Sequence, residues 1–95
     1  TLAVALACAD AGVPFVVAAP HTTVDPHTAS GADIEIELRD GDEVVAWDGR
    51  ATAPSSTPGF NPAFDVTPAR LISAVVTEAG VVEPGDGSRI VFRDR

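Results

Sequence analysis

Lysine, methionine and tyrosine are absent from these 95 residues, and cysteine and tryptophan occur once each. Without lysine, six arginines face fourteen acidic residues, giving a net charge of −8 and a pI near 4.3. Neutralising phosphates needs clustered cations, so no nucleic-acid partner is expected. One cysteine excludes an internal disulfide and fits a reducing compartment, so a cytoplasmic location is expected. There is no basic leader and no apolar run of membrane-spanning length. The apolar uncharged stretch Ala11 to Val24 is interrupted by Pro14 and Pro20, and no membrane partner is expected. Also missing are a G-x-G-x-x-G or P-loop phosphate cradle, a G-x-S-x-G elbow, and paired cysteine or histidine ligands. No self-sufficient active site is visible.

What is present is 45% hydrophobic residues and a mean hydropathy of +0.19, enough for one small globular domain. The stretch around which the rest is organised runs from Gly59 to Pro84. Thr67 supplies a cap oxygen, Pro68 suits a first helical position, and Gly80 suits a left-handed C-terminal position. Between them Leu71, Ile72, Val75, Val76 and Ala79 recur at helical spacing, with Arg70, Ser73, Thr77 and Glu78 opposite, which predicts an amphipathic helix from Thr67 to Ala79. The preceding Phe60 to Pro68 is fenced by prolines and predicted to be extended. There Asn61 and Asp65 are expected to bond nearby backbone N–H groups, and Phe60 and Phe64 to plug a core.

Residues 1–10, TLAVALACAD, predict a helix ended by Gly12 and Pro14. It is apolar nearly all round, which predicts cover on most sides, with Cys8 as a small buried hydrophobe. Only Thr1 is available to start it, so the helix is expected to begin before the chain does. Val13 to Ala19 is apolar without alternation and predicts a parallel strand buried on both faces and central in its sheet, with the Thr67–Ala79 helix packed across it. The loop Pro20 to Asp33 then leaves the carboxyl end of that strand, where open parallel sheets place ligands.

That loop holds both histidines. His21, Asp25 and His27 match no metal spacing with a mechanism, Pro26 fixes a turn among them, and no metal is expected. Asp25, ahead of Pro26, suits a turn. Ile34 to Leu38 alternates strictly and predicts a strand with one wet face. Asp40-Gly41 reads either as a hairpin turn into Glu43–Trp47 or, with Glu43 three residues on, as a capped helical turn. Glu35, Glu37, Asp40, Asp42 and Glu43 make an acidic, solvated face. Asp48 to Gly59 reads as loop. Val81-Val82 suits a short strand, 84–87 a turn, 90–92 an edge strand and 93–95 a frayed end. The missing first strand makes this a fragment of an α/β domain, unable to bury a sheet on both faces alone.

Three blocks carry a resemblance. NPAFDVTPARLISAVVTEAGVVEP is similar to the C-terminal signature of the methylthioribose-1-phosphate isomerases, a family shared with the alpha, beta and delta subunits of translation initiation factor 2B. GVPFVVAAPHTTVD resembles its G-(I/V)-P-F-x-V-A-A-P-x-(S/T)-T-x-D pattern, and Ile34 to Glu37 with Arg39 its I-x-I-E-x-R segment. The resemblance covers nearly the whole chain and favours the helical turn at Asp40–Glu43. It implies the C-terminal part of a Rossmann-like three-layer domain with a mostly parallel sheet, residues 1–95 being one segment of that single domain. It implies a homodimer, a sugar-phosphate substrate, no required cofactor, and the remainder of its own polypeptide as a partner. The implied activity is aldose-ketose isomerisation of 5-methylthioribose 1-phosphate in methionine salvage. The family's acid/base aspartate, cysteine and phosphate-binding pair are expected upstream of Thr1, so no catalytic residue is carried over, and Cys8 does not match the family's cysteine. The loop carrying Thr22, Thr23 and Asp25 is implied to lie beside the sugar-phosphate pocket, and with Asn61 and Asp65 these are the candidate pocket residues. Two other readings are a non-catalytic regulatory module like the translation-factor subunits and a ribose 1,5-bisphosphate isomerase segment. The chain alone is expected to be inactive.

Overall fold

A computed structural model describes residues 1–84. The described residues form two compact units, Thr1–Ile34 with residues 66–84, and Glu35–Asp65 between them. The turn expected at 84–87, the strand at 90–92 and the end at 93–95 lie outside the described residues.

The first unit is a small mixed α/β sheet. Helix α1 (Leu2–Ala11) is propagated by alanine and leucine and stopped by Gly12, which takes a left-handed conformation at φ 69°. Gly12 N–H donates to Ala9 O (3.3 Å) and Val13 N–H to Cys8 O (2.8 Å), so two carbonyls of the last turn are satisfied within the chain. Ala5 is fully buried and Leu2 and Cys8 are half-buried, so these three make the packed stripe. Val4 and Leu6 are exposed, so among the described residues the helix is covered on one side instead of most.

Strand β1 (Val16–Ala18) lies parallel to β4 (Ala74–Thr77), with Val17 opposite Val75, and β4 turns back into antiparallel β5 (Gly80–Val82). The order is β1-β4-β5. The helix expected from Thr67 to Ala79 is therefore replaced by one 3-10 turn, Ala69–Leu71, and a strand. Pro68 is extended at ψ 142°, so it does not open a helix. The run Ala74-Val75-Val76-Thr77 is rich in β-branched side chains that fit a pleated surface better than a helix. Its ladder with β1 is lengthened by Ser73 N–H to Phe15 O (2.8 Å), Phe15 N–H to Ser73 Oγ (2.9 Å) and Ala19 N–H to Val76 O (3.0 Å). Gly80, expected as a helix stop, instead leaves the two-residue turn Glu78-Ala79 at φ 138°.

Val75, 7% exposed, is the core residue of β4, and Leu71 is half-buried. The expected two-sided burial of β1 is corrected. Phe15, Val17 and Ala19 are half-buried while Val16 and Ala18 are exposed, and among the described residues β1 is an edge strand. Uniformly apolar sequence does not distinguish a strand with one covered face from one with two. The short strand at Val81-Val82 is present as β5.

The alternating segment Ile34–Leu38, all but its first residue in the second unit, forms no strand. Leu38 alone makes an antiparallel bridge, with Pro62. Arg39 N–H donates to Asn61 O and Ala63 N–H to Glu37 O, both at 2.8 Å, so Pro62 sits opposite Leu38 where its nitrogen need not donate. Alternation assigns faces to a segment but supplies no partner strand. Helix α2 (Asp42–Val45) realises the helical turn: Asp40 Oδ1 accepts from Asp42 N–H (3.0 Å), while Glu43 bonds elsewhere. Residues 48–59, expected to be loop, include half of a hairpin. Strand β2 (Ala46–Trp47) pairs with β3 (Arg50–Ala51), and Asp48 and Gly49 both have positive φ, as a type I′ turn requires. Gly41 and Gly59 bring their backbones into contact, and a Cβ on either would collide with the other's main chain. Phe60 and Phe64 plug no core among the described residues: they are 79% and 76% exposed.

Candidate functional site

Beyond the carboxyl ends of the parallel neighbours β1 and β4 lie two connecting segments: the 3-10 turn His21–Thr23 after β1, and the turn Glu78-Ala79 after β4. They are clasped together. His21 N–H donates to Glu78 Oε2 (2.8 Å) and His21 Nδ1 lies 2.7 Å from Glu78 Oε1, so one residue engages both carboxylate oxygens. The contact to the imidazole, then Glu78's own N–H and the His21 N–H, hold the Glu78 carboxyl down at about 2. The turn beneath Glu78 is itself fixed, because nearly buried Thr77 accepts at Oγ1 from Ala79 N–H (3.1 Å).

The loop candidates separate by what their side chains already do. Thr23 Oγ1 donates to Pro20 O (2.8 Å), tightening its own turn. Asp25 accepts from His27 N–H (2.9 Å) and Thr28 Oγ1 (2.6 Å), which closes the turn across Pro26. The Thr28 hydroxyl first, and then the His27 N–H, lower the Asp25 carboxyl below its ordinary range. Thr22 has no side-chain partner among the described residues and is exposed. The loop therefore presents Thr22, while Thr23 and Asp25 maintain its shape.

Asn61 belongs to the second unit and works as a donor, in contrast to the expected acceptor role. Its Nδ2 reaches Asp40 O (2.9 Å) and Glu43 Oε2 (3.0 Å). Glu43 is also gripped through two nitrogens by Arg39, at 3.0 Å from Nε and 2.8 Å from Nη2. Arg39 first, then Asn61, lower the Glu43 carboxyl, and Glu43 raises the Arg39 guanidinium. Asp65 ends this unit and is engaged by a partner of its own. Among the described residues no group of three or more His, Cys, Asp or Glu side chains is placed to hold a metal ion, and no helix is long and apolar enough to cross a membrane. Glu78 was the residue hidden from sequence reasoning. It lies 57 residues from His21, and the helical reading put it on a solvent face.

The Initiation factor 2 subunit family matches residues 1–84. The chain belongs to this family. It is 59% identical to a probable bifunctional methylthioribose-1-phosphate isomerase/methylthioribulose-1-phosphate dehydratase of Nocardia farcinica, over 90% of this chain and 16% of that protein. It is 49% identical to a methylthioribose-1-phosphate isomerase of Synechococcus sp., over 95% of this chain and 26% of the relative. The matches fall in the C-terminal part of such relatives, so the chain spans about a quarter or less of their length. Among solved structures it resembles 5-methylthioribose 1-phosphate isomerase from Pyrococcus horikoshii (TM-score 0.79, 40% identity, 87% of this chain and 23% of that one). It resembles translation initiation factor eIF-2B, subunit delta, from A. fulgidus about as well (TM-score 0.78, 36% identity, 88% and 24%).

Proposed function

We propose that this family member is the C-terminal segment of an aldose-ketose isomerase that converts 5-methylthioribose 1-phosphate to 5-methylthioribulose 1-phosphate. The observation that carries the reading is identity of 49% and 59%, over nearly the whole chain, to proteins named for that reaction. Backbone likeness does not separate the isomerase from the translation-factor branch, since the two solved structures match about equally well and one fold hosts unrelated functions. Residue identity favours the isomerase.

In this reading the β1-β4-β5 sheet is the C-terminal part of a Rossmann-like three-layer domain, extended beyond β1 by further parallel strands of the same polypeptide. The protein is a cytoplasmic homodimer that needs no cofactor. Moving a proton between adjacent carbons of a sugar phosphate requires a positioned acid/base group, and a dianionic phosphate requires cations or clustered N–H groups. With a charge of −8 and no lysine, this chain supplies neither in quantity, so its part is to shape the pocket wall at the carboxyl ends of β1 and β4. Thr22 is its contact to substrate, and Thr23 and Asp25 set the turn. Asn61 and Asp65 shape the second unit.

The test is a substrate comparison on the complete gene product, offered methylthioribose 1-phosphate and ribose 1,5-bisphosphate in parallel. Conversion of the first to its ketose in clear preference to the second is the expected result. Preference for the bisphosphate would reassign the substrate, and turnover of neither would move the protein to the regulatory branch.

A further inference from the structure

Three loop residues were candidates for substrate contact, and two have their side chains committed to the loop itself. The remaining one, Thr22, sits between two turn-forming residues, so its placement depends on what fixes the turn. From below, Thr23 N–H donates to Pro20 O and Val24 N–H to His21 O, both at 3.0 Å, but these bonds move with the loop as a unit. The clasp between His21 and Glu78 ties that unit to the sheet. It spans 57 residues of sequence and ends on the hairpin turn of β4 and β5, which is braced by the Thr77–Gly80 pair and by the bond from Ala79 N–H to Thr77 Oγ1. Two donors from one residue, one on the backbone and one on the ring, on two oxygens of one carboxylate fix orientation as well as distance. The carboxyl is held down at about 2, so both acceptor oxygens are kept well into the acid range.

We propose that Glu78 is a positioning residue for the isomerase site, holding the His21–Thr23 turn through His21 so that the Thr22 hydroxyl is fixed at the carboxyl ends of β1 and β4. This rests on the isomerase reading above. Glu78 touches no substrate and acts through His21 and Thr22.

The experiment is steady-state kinetics of the complete gene product with methylthioribose 1-phosphate, for the wild type, Glu78→Ala, Glu78→Gln, His21→Ala, Thr22→Val and the Thr22→Val/Glu78→Ala double variant. Glu78→Ala should raise KM about tenfold, the size of one charge-assisted hydrogen bond, with kcat within about twofold, because a contact made equally in ground and transition states acts on KM alone. Thr22→Val should match it. The double variant should be no worse than the poorer single, since both changes remove the same contact. Glu78→Gln keeps one acceptor oxygen and His21→Ala keeps the backbone donor, so both should fall between wild type and Glu78→Ala. Glu78→Gln is also the variant that answers if Glu78→Ala fails to fold. A KM unchanged in Glu78→Gln and Glu78→Ala while the melting temperature falls would make Glu78 merely structural and overturn the proposal, as would additive losses in the double variant. Absence of turnover in the folded wild type overturns the isomerase reading and this inference with it, and the wild type alone reveals that case.

Discussion

At the scale of single residues, charge in this chain is handled by pairs with defined geometry, and each pair makes a checkable statement. Glu78 ordinarily titrates near 4.5 and is held at about 2, so its folded-state pKa is depressed. The stabilisation it contributes is therefore fully present above pH 4.5 and is lost as the pH falls toward 2. Other carboxylates titrate in the same range, so the quantity to follow is the difference in melting temperature between wild type and Glu78→Gln. That difference should shrink steadily from pH 4.5 to 2; a difference unchanged over that range would contradict the clasp. Asn61 makes a different case. Its amide serves a backbone carbonyl and a carboxylate across 21 and 18 residues, and Asn61→Ala should cost about 1–2 kcal/mol in denaturant unfolding, the net worth of one or two hydrogen bonds left unmade. A change that lowers turnover in the complete protein without loss of stability would instead move Asn61 to the pocket.

The elements show where local reasoning holds and where it gives way. Helix α1 was legible because its signals are local: alanine-rich propagation and a glycine that accepts a left-handed conformation. The extended course of Val16–Ala18 and of Val81-Val82 was legible for the same reason. β4 was not. Leu71, Ile72, Val75, Val76 and Ala79 satisfy a helical period, while Ala74–Thr77 in the same stretch also satisfies a short buried strand, an ambiguity that spacing alone does not resolve. What decides is pairing with Val16–Ala18, almost sixty residues earlier, which no local pattern encodes. The hairpin at Asp48-Gly49 is another matter, since its Asp-Gly signal lies in a stretch that otherwise reads as loop. The Glu78 clasp was out of reach for the same reason as β4, because its partner is distant and the wrong element placed it on the wrong face. Val76→Ala separates the two readings of this segment. In a strand facing Ala18 and Val81 it should destabilise by about 1 kcal/mol, whereas in a helix it should stabilise by about 0.5 kcal/mol. Gly59→Ala tests the other unit. Its Cβ would meet the Gly41 main chain, which has no flexible end to give way, so a loss of about 1–3 kcal/mol is expected.

For the molecule as a whole, the balance of parts matters more than any single contact. Among the described residues of the first unit, a three-stranded sheet with helix α1 and one buried β4 valine is a small core, and Val4, Leu6 and Val16 remain exposed beside it. The chain spans about a quarter or less of the relatives it matches, and the acidic surface is ill suited to hold a phosphate without cations from elsewhere. Under the proposed function, these 95 residues complete an isomerase site without containing its acid/base chemistry. The most direct measurement is turnover of methylthioribose 1-phosphate by the purified 95-residue chain, by the rest of the gene product, and by the two mixed. Neither piece alone should yield ketose, which should appear on mixing; ketose formed by the 95-residue chain alone would contradict the proposed function.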